Sequence, residues 1–199
     1  MGALVGAVLA LASMVLGFSV NGEPPALDLG LHRTALGLGP GFVHSAAVVS
    51  FVLSPGLATI ALVSLGLRAL LARDPLLARS AVLLAVCWAT VLARHVYQRV
   101  RPVDFPKWAY PSGHVTAVTA TAFTGVVLCG WLARRHLKLA VGLACAAVVL
   151  TAASRVVLEM HWFTDTVGAV LAAVGVGLVA ARVLRLVPLG GVGSRREQS

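Results

Sequence analysis

In the stretch SRVVLEMHWFTD, residues 154–165, four side chains able to do chemistry crowd together: Arg155, Glu159, His161 and Asp165. His161 and Asp165 are four residues apart, the spacing that puts two side chains on one helix face. A carboxylate that holds one imidazole nitrogen fixes the tautomer and makes the other nitrogen a better base or nucleophile. A polar turn with an incidental His–Asp pair fits the same residues equally well. Arg155 lies before the turn, within reach of the same site, and Glu159 reads as a solvated turn residue.

Two further clusters precede this one. In RHVYQRVRP, Arg94 and Arg101 are about two helical turns apart, so a helix continuing that far presents both from one face until Pro102 stops it. Two guanidiniums on one face suit a phosphate, whose oxygens pair bidentately with the planar fork. Arginines that snorkel to a membrane interface have the same look. In YPSGH, residues 110–114, Ser112 and Gly113 stand just before a long apolar run and His114 lies in its first turn. A helix start offers free N–H groups and a positive dipole end that attract anions. Gly113 permits close backbone approach, and the Ser112 hydroxyl can donate or simply cap the helix. A plain capped start explains the serine and glycine; it does not require His114.

The segments that must position these residues are apolar. The 199-residue chain is 59% hydrophobic and 12% charged, with a mean hydropathy of +0.93, whereas a soluble domain is about 25% charged. The fold class read from this is all-α, a polytopic membrane bundle. Stretches long enough to span a bilayer recur near 3–20, 42–66, 76–97, 114–133, 139–158 and 163–187. Pro55 is expected to kink the second. The first lacks the basic start of a signal peptide and reads as a span. Residues 1–188 then form the six-helix domain, and GGVGSRREQS, closing the chain through 189–199, reads as a disordered basic cytoplasmic tail.

The net charge of +9 does not indicate nucleic acid, because the basic residues form no long run with interleaved aromatics. They sit in the connectors. One set holds Arg68, Arg73, Arg79, Arg134, Arg135, Lys138, Arg182, Arg185, Arg195 and Arg196; the other holds Arg33, Arg94, Arg99, Arg101, Lys107 and Arg155. The larger set belongs in the cytoplasm, which puts both termini there. Alternation of spans then carries all three polar clusters to the extracytoplasmic side, where they can make one site. His136 falls on the opposite side, His32 in an exterior loop and His44 near the second span, while His95 faces away from Arg94. Trp108 and Trp162 suit an interfacial belt, as Trp131 does on the other face. GAVLAAVGVG after Asp165 reads as small-residue helix packing. Cys87, Cys129 and Cys145 lack ligand spacing and read as packing residues.

Three arginines, a helix-start nest and two histidines, one with a carboxylate, make a site for breaking a phosphate ester. They contain no magnesium carboxylate cluster and no zinc set, so no metal or cofactor is expected. A serine protease using Ser112 does not need the arginines. An anion transporter gains nothing from the His–Asp pair.

Arg94–x6–Arg101–Pro102, Pro111-Ser112-Gly113-His114 and Ser154-Arg155–x5–His161–x3–Asp165 together resemble the signatures of the type-2 phosphatidic acid phosphatase superfamily, in order and internal spacing, across residues 94–165. The first signature usually opens with lysine; Arg94 replaces a point charge by a planar fork. The resemblance implies that His161 is a nucleophile forming a phosphohistidine, with Asp165 orienting it. It implies that His114 protonates the leaving oxygen and then activates water. Arg94, Arg101, Ser112, Gly113 and Arg155 would bind the phosphoryl oxygens. The related vanadate-dependent haloperoxidases share such sites but not this transmembrane composition. The substrate expected is a lipid phosphate or an isoprenoid (undecaprenyl-type) diphosphate, with phosphatidylglycerol phosphate and phosphatidic acid as the other candidates. The protein is expected in a bacterial plasma membrane, with lipid and bilayer as its partners.

Overall fold

The computed structural model describes residues 1–186; the tail assigned to 189–199 lies outside them. Helices make up the regular structure of the described residues, with no strand among them. Helix α1 is Gly2–Ser19, α2 Ala26–Leu36, α3 Pro40–Val52, α4 Pro55–Ala72, α5 Pro75–Ala89, α6 Arg94–Tyr97, α7 Gly113–Leu132, α8 Leu137–Val157 and α9 Phe163–Val183. A 3₁₀ turn over Thr90–Ala93 joins α5 to α6. Six segments are long and apolar enough to cross a bilayer, with mean hydropathy between 1.7 and 2.1: α1, α3 with α4, α5 through α6, α7, α8 and α9.

The helices begin where local chemistry allows. Pro40, Pro55 and Pro75 each occupy a first helical position, where the missing N–H costs nothing. Asp74 caps α5 by accepting from the Leu76 and Leu77 amides at 2.8 and 3.4 Å. Pro55 does more than kink the second span. The chain breaks at Leu53 and Ser54, and Pro55 starts a new helix.

Small residues hold α1 on α9. A Cβ added at Gly6 would lie 2.6 Å from the Gly175 carbonyl oxygen, and one at Gly175 would lie 2.6 Å from the Ala10 nitrogen. Backbones this close leave no room for side chains, as expected of the GAVLAAVGVG run. Ser13 adds a buried polar tie, donating to the Gly168 carbonyl at 2.9 Å and lying 3.0 Å from the Tyr110 hydroxyl. Leu83, Leu84, Cys87, Ala120 and Ala181 make the central core. The outer faces remain apolar and exposed, among them Leu4, Phe51, Leu70, Leu132 and Leu150. Apolar cover of this extent around a bundle meets lipid, not water. The chain is an integral membrane protein.

Two expectations need correction. The segment between the first two spans is not a plain loop: α2 lies there, against α8 and the start of α9. Nor does the third span carry Arg94 and Arg101 on one helix face. It ends at Tyr97 because Gln98 turns left-handed, φ 50°, and closes the helix with its N–H on the Arg94 carbonyl. Arg101 therefore belongs to a loop, whose own hydrogen bonds aim it.

Candidate active site

At one end of the bundle the end of α8, the starts of α7 and α9, α6 and the loop after it all converge. Asp165 is the third residue of α9, and its Oδ2 accepts from the Trp162 amide at 2.9 Å, the carboxylate half of a capping box. His161 stands in the turn before α9, so the two do not share a helix face, yet the same oxygen faces His161 Nδ1 at 3.5 Å. That is long for a hydrogen bond, yet both groups are buried, and such contacts tighten when substrate arrives. Among the described residues His161 Nδ1 has no other partner. Burial pushes His161 down to about 4; Asp165 pulls it back up, and Arg101 and Arg155 push it further down. At neutral pH the imidazole is therefore an uncharged base with a free lone pair.

The three arginines of the sequence motifs reach this end by different routes. Arg155 is on the last turn of α8 and is buried. Its Nη1 donates to Ser50 Oγ of α3 at 2.7 Å, while Nε is unpartnered among the described residues. Arg101 is held by its own loop and by the turn between α8 and α9, donating to the Lys107 and Trp108 carbonyls at 2.5 and 3.2 Å and to the Met160 carbonyl at 2.8 Å, with its guanidinium 4.7 Å above the Phe105 ring. Burial and the neighbouring Arg94 lower its pKa, against a smaller raising effect of Asp165; it stays a cation. Arg94 Nε donates to the Val91 carbonyl at 3.1 Å, leaving the far edge of its fork toward the start of α7. Three cations this close repel one another, an arrangement that an anion between them would relieve.

Ser112 is fully buried, and its hydroxyl does not cap α7: Oγ has no partner among the described residues. The plain capped start is thus not what the chain builds. The Ser112 amide donates to the Asp165 carbonyl at 3.2 Å, which locks the start of α7 onto the start of α9 and brings His114 to the same end. A Cβ at Gly113 would lie 2.7 Å from Arg94 Nη2. Gly113→Ala should therefore displace the Arg94 fork and raise KM for a phosphate substrate severalfold in a protein that still folds; an unchanged KM would mean that Arg94 does not touch substrate.

Four contributors escaped sequence reasoning. Arg99 is 1% exposed and bonds Asp165 Oδ1 at 2.6 Å, Thr164 Oγ1 at 2.7 Å and Asp28 Oδ2 at 2.8 Å. Asp28, from α2, also accepts from the Thr164 amide at 3.0 Å and the Thr164 hydroxyl at 2.6 Å. Ser50 holds Arg155. One signal was available: Asp28 is the sole carboxylate in a short apolar segment, and such a charge rarely lacks a partner. Trp162 also needs correction. It is not an interfacial anchor but is buried, donating to the Val100 carbonyl at 3.0 Å and packed edge-on to His32.

Below this end a groove of about 500 Å³ runs between α7, α8 and α9, lined by Phe123, Cys145, Val149, Phe163, Val167 and Val170 among others. Among the described residues no cluster of three or more His, Cys, Asp or Glu has metal-ligand geometry.

Residues 84–187 match the family model described as the PAP2 superfamily, just over half of the chain. A solved structure described as the first transmembrane PAP2 type phosphatidylglycerolphosphate phosphatase from Bacillus subtilis is similar at a TM-score of 0.66 and 19% identity, over 90% of this chain and 94% of that one. At that identity the likeness speaks for the fold. No curated protein matches the sequence.

Proposed function

The chain belongs to the PAP2 superfamily, and from that premise we propose that it is a membrane phosphatase that hydrolyses a lipid phosphate or an isoprenoid diphosphate through a phosphohistidine. The observation that carries this reading is the meeting of a buried His161–Asp165 pair with Arg94, Arg101 and Arg155 around the Ser112–Gly113–His114 helix start. His161 Nε2 attacks phosphorus while Asp165 holds the Nδ1 side. The arginines, the start of α7 and the Ser112 hydroxyl take up the charge of the equatorial oxygens. His114 delivers a proton to the leaving oxygen, then withdraws one from the water that cleaves the phosphorus–nitrogen bond. Inorganic phosphate leaves, and His161 is restored. Splitting one displacement into two is the gain of covalent catalysis.

The groove supports a lipid substrate. From Phe163 to Val174 it follows α9 down from the catalytic end, roughly 16 Å at 1.5 Å per residue, about the depth of one leaflet's hydrocarbon. A polyprenyl carrier is favoured over the phospholipid candidates because its phosphate must be removed on the outer face.

Phosphate release by detergent-purified protein should persist in EDTA and be inhibited by vanadate. The panel comprises an undecaprenyl-type diphosphate, phosphatidylglycerol phosphate and phosphatidic acid. Complete loss in EDTA with restoration by magnesium would overturn the metal-independent mechanism, and no release from any lipid would overturn the phosphatase.

Sidedness follows from charge. With Arg94, Arg101 and Arg155 set aside as serving the site, ten connector cations stand against three, which favours an extracytoplasmic site and cytoplasmic termini. In a background lacking Cys87, Cys129 and Cys145, single cysteines at the exposed positions 104–108 should react with impermeant maleimide on intact cells. Those near Arg134 should react only after lysis. The opposite pattern would make the substrate a cytoplasmic-leaflet lipid.

A further inference from the structure

Asp28 and Arg99 take no part in the reaction above, yet each is 1% exposed. Capping accounts for part of this. Asp28 Oδ1 accepts from the Thr164 amide, and an acid at a helix start is favourable. Capping does not account for Arg99. The start of α9 already has two carboxylates, and a cation there opposes the helix dipole.

The guanidinium bridges the two acids, with Nη1 2.6 Å from Asp165 Oδ1 and Nη2 2.8 Å from Asp28 Oδ2. Thr164 Oγ1 accepts from Nη1 at 2.7 Å and donates to Asp28 Oδ2 at 2.6 Å, so the four side chains form one hydrogen-bonded unit in which Arg99 Nε alone of the guanidinium nitrogens has no partner among the described residues. One arginine between two carboxylates leaves one negative charge. In a dry site that charge acts on what remains beside it, and the group beside Asp165 is His161. An Asp165–Arg99 pair alone would be neutral, and its hold on a developing imidazolium largely cancelled.

We propose that Asp28 and Arg99 are positioning residues of the same site: Arg99 fixes the Asp165 carboxylate toward His161, and Asp28, brought by α2, supplies the second negative charge that leaves Asp165 free to stabilise the histidine as it becomes cationic. This rests on His161 as nucleophile. The exterior helix α2 is then a working part of the site.

A structural tie and a charge-balancing one differ in their response to a double change. Asp28→Asn leaves the cluster neutral and should lower kcat about 10- to 100-fold, the scale of losing the outer-shell partner of a metal-bound histidine, with KM and vanadate inhibition nearly unchanged. Asp28→Asn with Arg99→Gln restores one negative charge and should recover part of the lost kcat. Thr164→Val, a milder change, should lower kcat severalfold at constant KM. Modification of His161 by diethyl pyrocarbonate, followed by mass spectrometry, reads its nucleophilicity without turnover. It should slow in Asp28→Asn and recover in the double variant. This second readout separates the inference from the phosphatase reading, since it needs no substrate. The inference is overturned if Asp28→Asn matches wild type in both measurements, or if the double variant is worse than Asp28→Asn and melts earlier in proportion.

Discussion

His161→Ala should release no phosphate above background, a loss on the order of 10⁶-fold, the scale of removing a nucleophile from a catalytic unit whose members act together. The imidazole is buried and at neutral pH carries no charge, so its removal strands no ion. A small cavity and one relieved contact with Asp165 are the structural cost, and the protein should still purify as a folded species. Wild-type protein quenched during turnover of a radiolabelled lipid phosphate should carry acid-labile, alkali-stable label, and His161→Ala none. Substantial turnover by folded His161→Ala would remove the covalent mechanism and leave the arginine cluster as a binding site.

Asp165→Asn should retain a weak residue of activity, about 10⁴-fold below wild type, the cost of losing the tautomer-fixing carboxylate in a comparable triad. The fold has reason to survive. An asparagine side-chain oxygen can still accept from the Trp162 amide, and Arg99 keeps Asp28 as its counter-charge. Breaking a buried pair is severely destabilising chiefly when it leaves an uncompensated charge, and here it does not. The defect should thus fall on kcat, with KM much less affected. A variant as active as wild type would mean that the carboxylate only caps α9. A variant that cannot be purified folded, while Asp28→Asn can, would mean that Arg99 depends on Asp165 far more than on Asp28.

The apolar segments were legible because the bilayer imposes a length and a composition that a sequence displays directly. The three signatures were legible because each is local: His161 stands four residues before Asp165, in the turn that leads into α9, and Ser112, Gly113 and His114 are consecutive. Break points were less so. Pro55 announced a disturbance, but whether a proline bends a helix or starts a new one depends on what packs around Leu53 and Ser54. The end of the third span at Gln98 had no proline or glycine to mark it, and the left-handed turn there is what sends Arg99 inward while Arg101 goes to its loop.

The residues that escaped are those whose meaning lies in distant partners. Asp28 and Thr164 are 136 positions apart, and Ser50 and Arg155 are 105. By itself the sequence determined a six-span, all-helical membrane chain with its reactive residues gathered at one end. Apolar length, small-residue runs and short-range spacing are properties of neighbouring residues, and neighbours are what a sequence records. Only the tertiary structure decided that α2 packs at the start of α9 to deliver Asp28, that Ser50 holds Arg155, and that one buried arginine is shared between two acids. Those pairings follow from which helix ends meet. The meeting is driven by packing such as that of α1 on α9, and buried polar groups then bind whatever partner the packing brings within reach, because in a dry interior an unpaired one is costly.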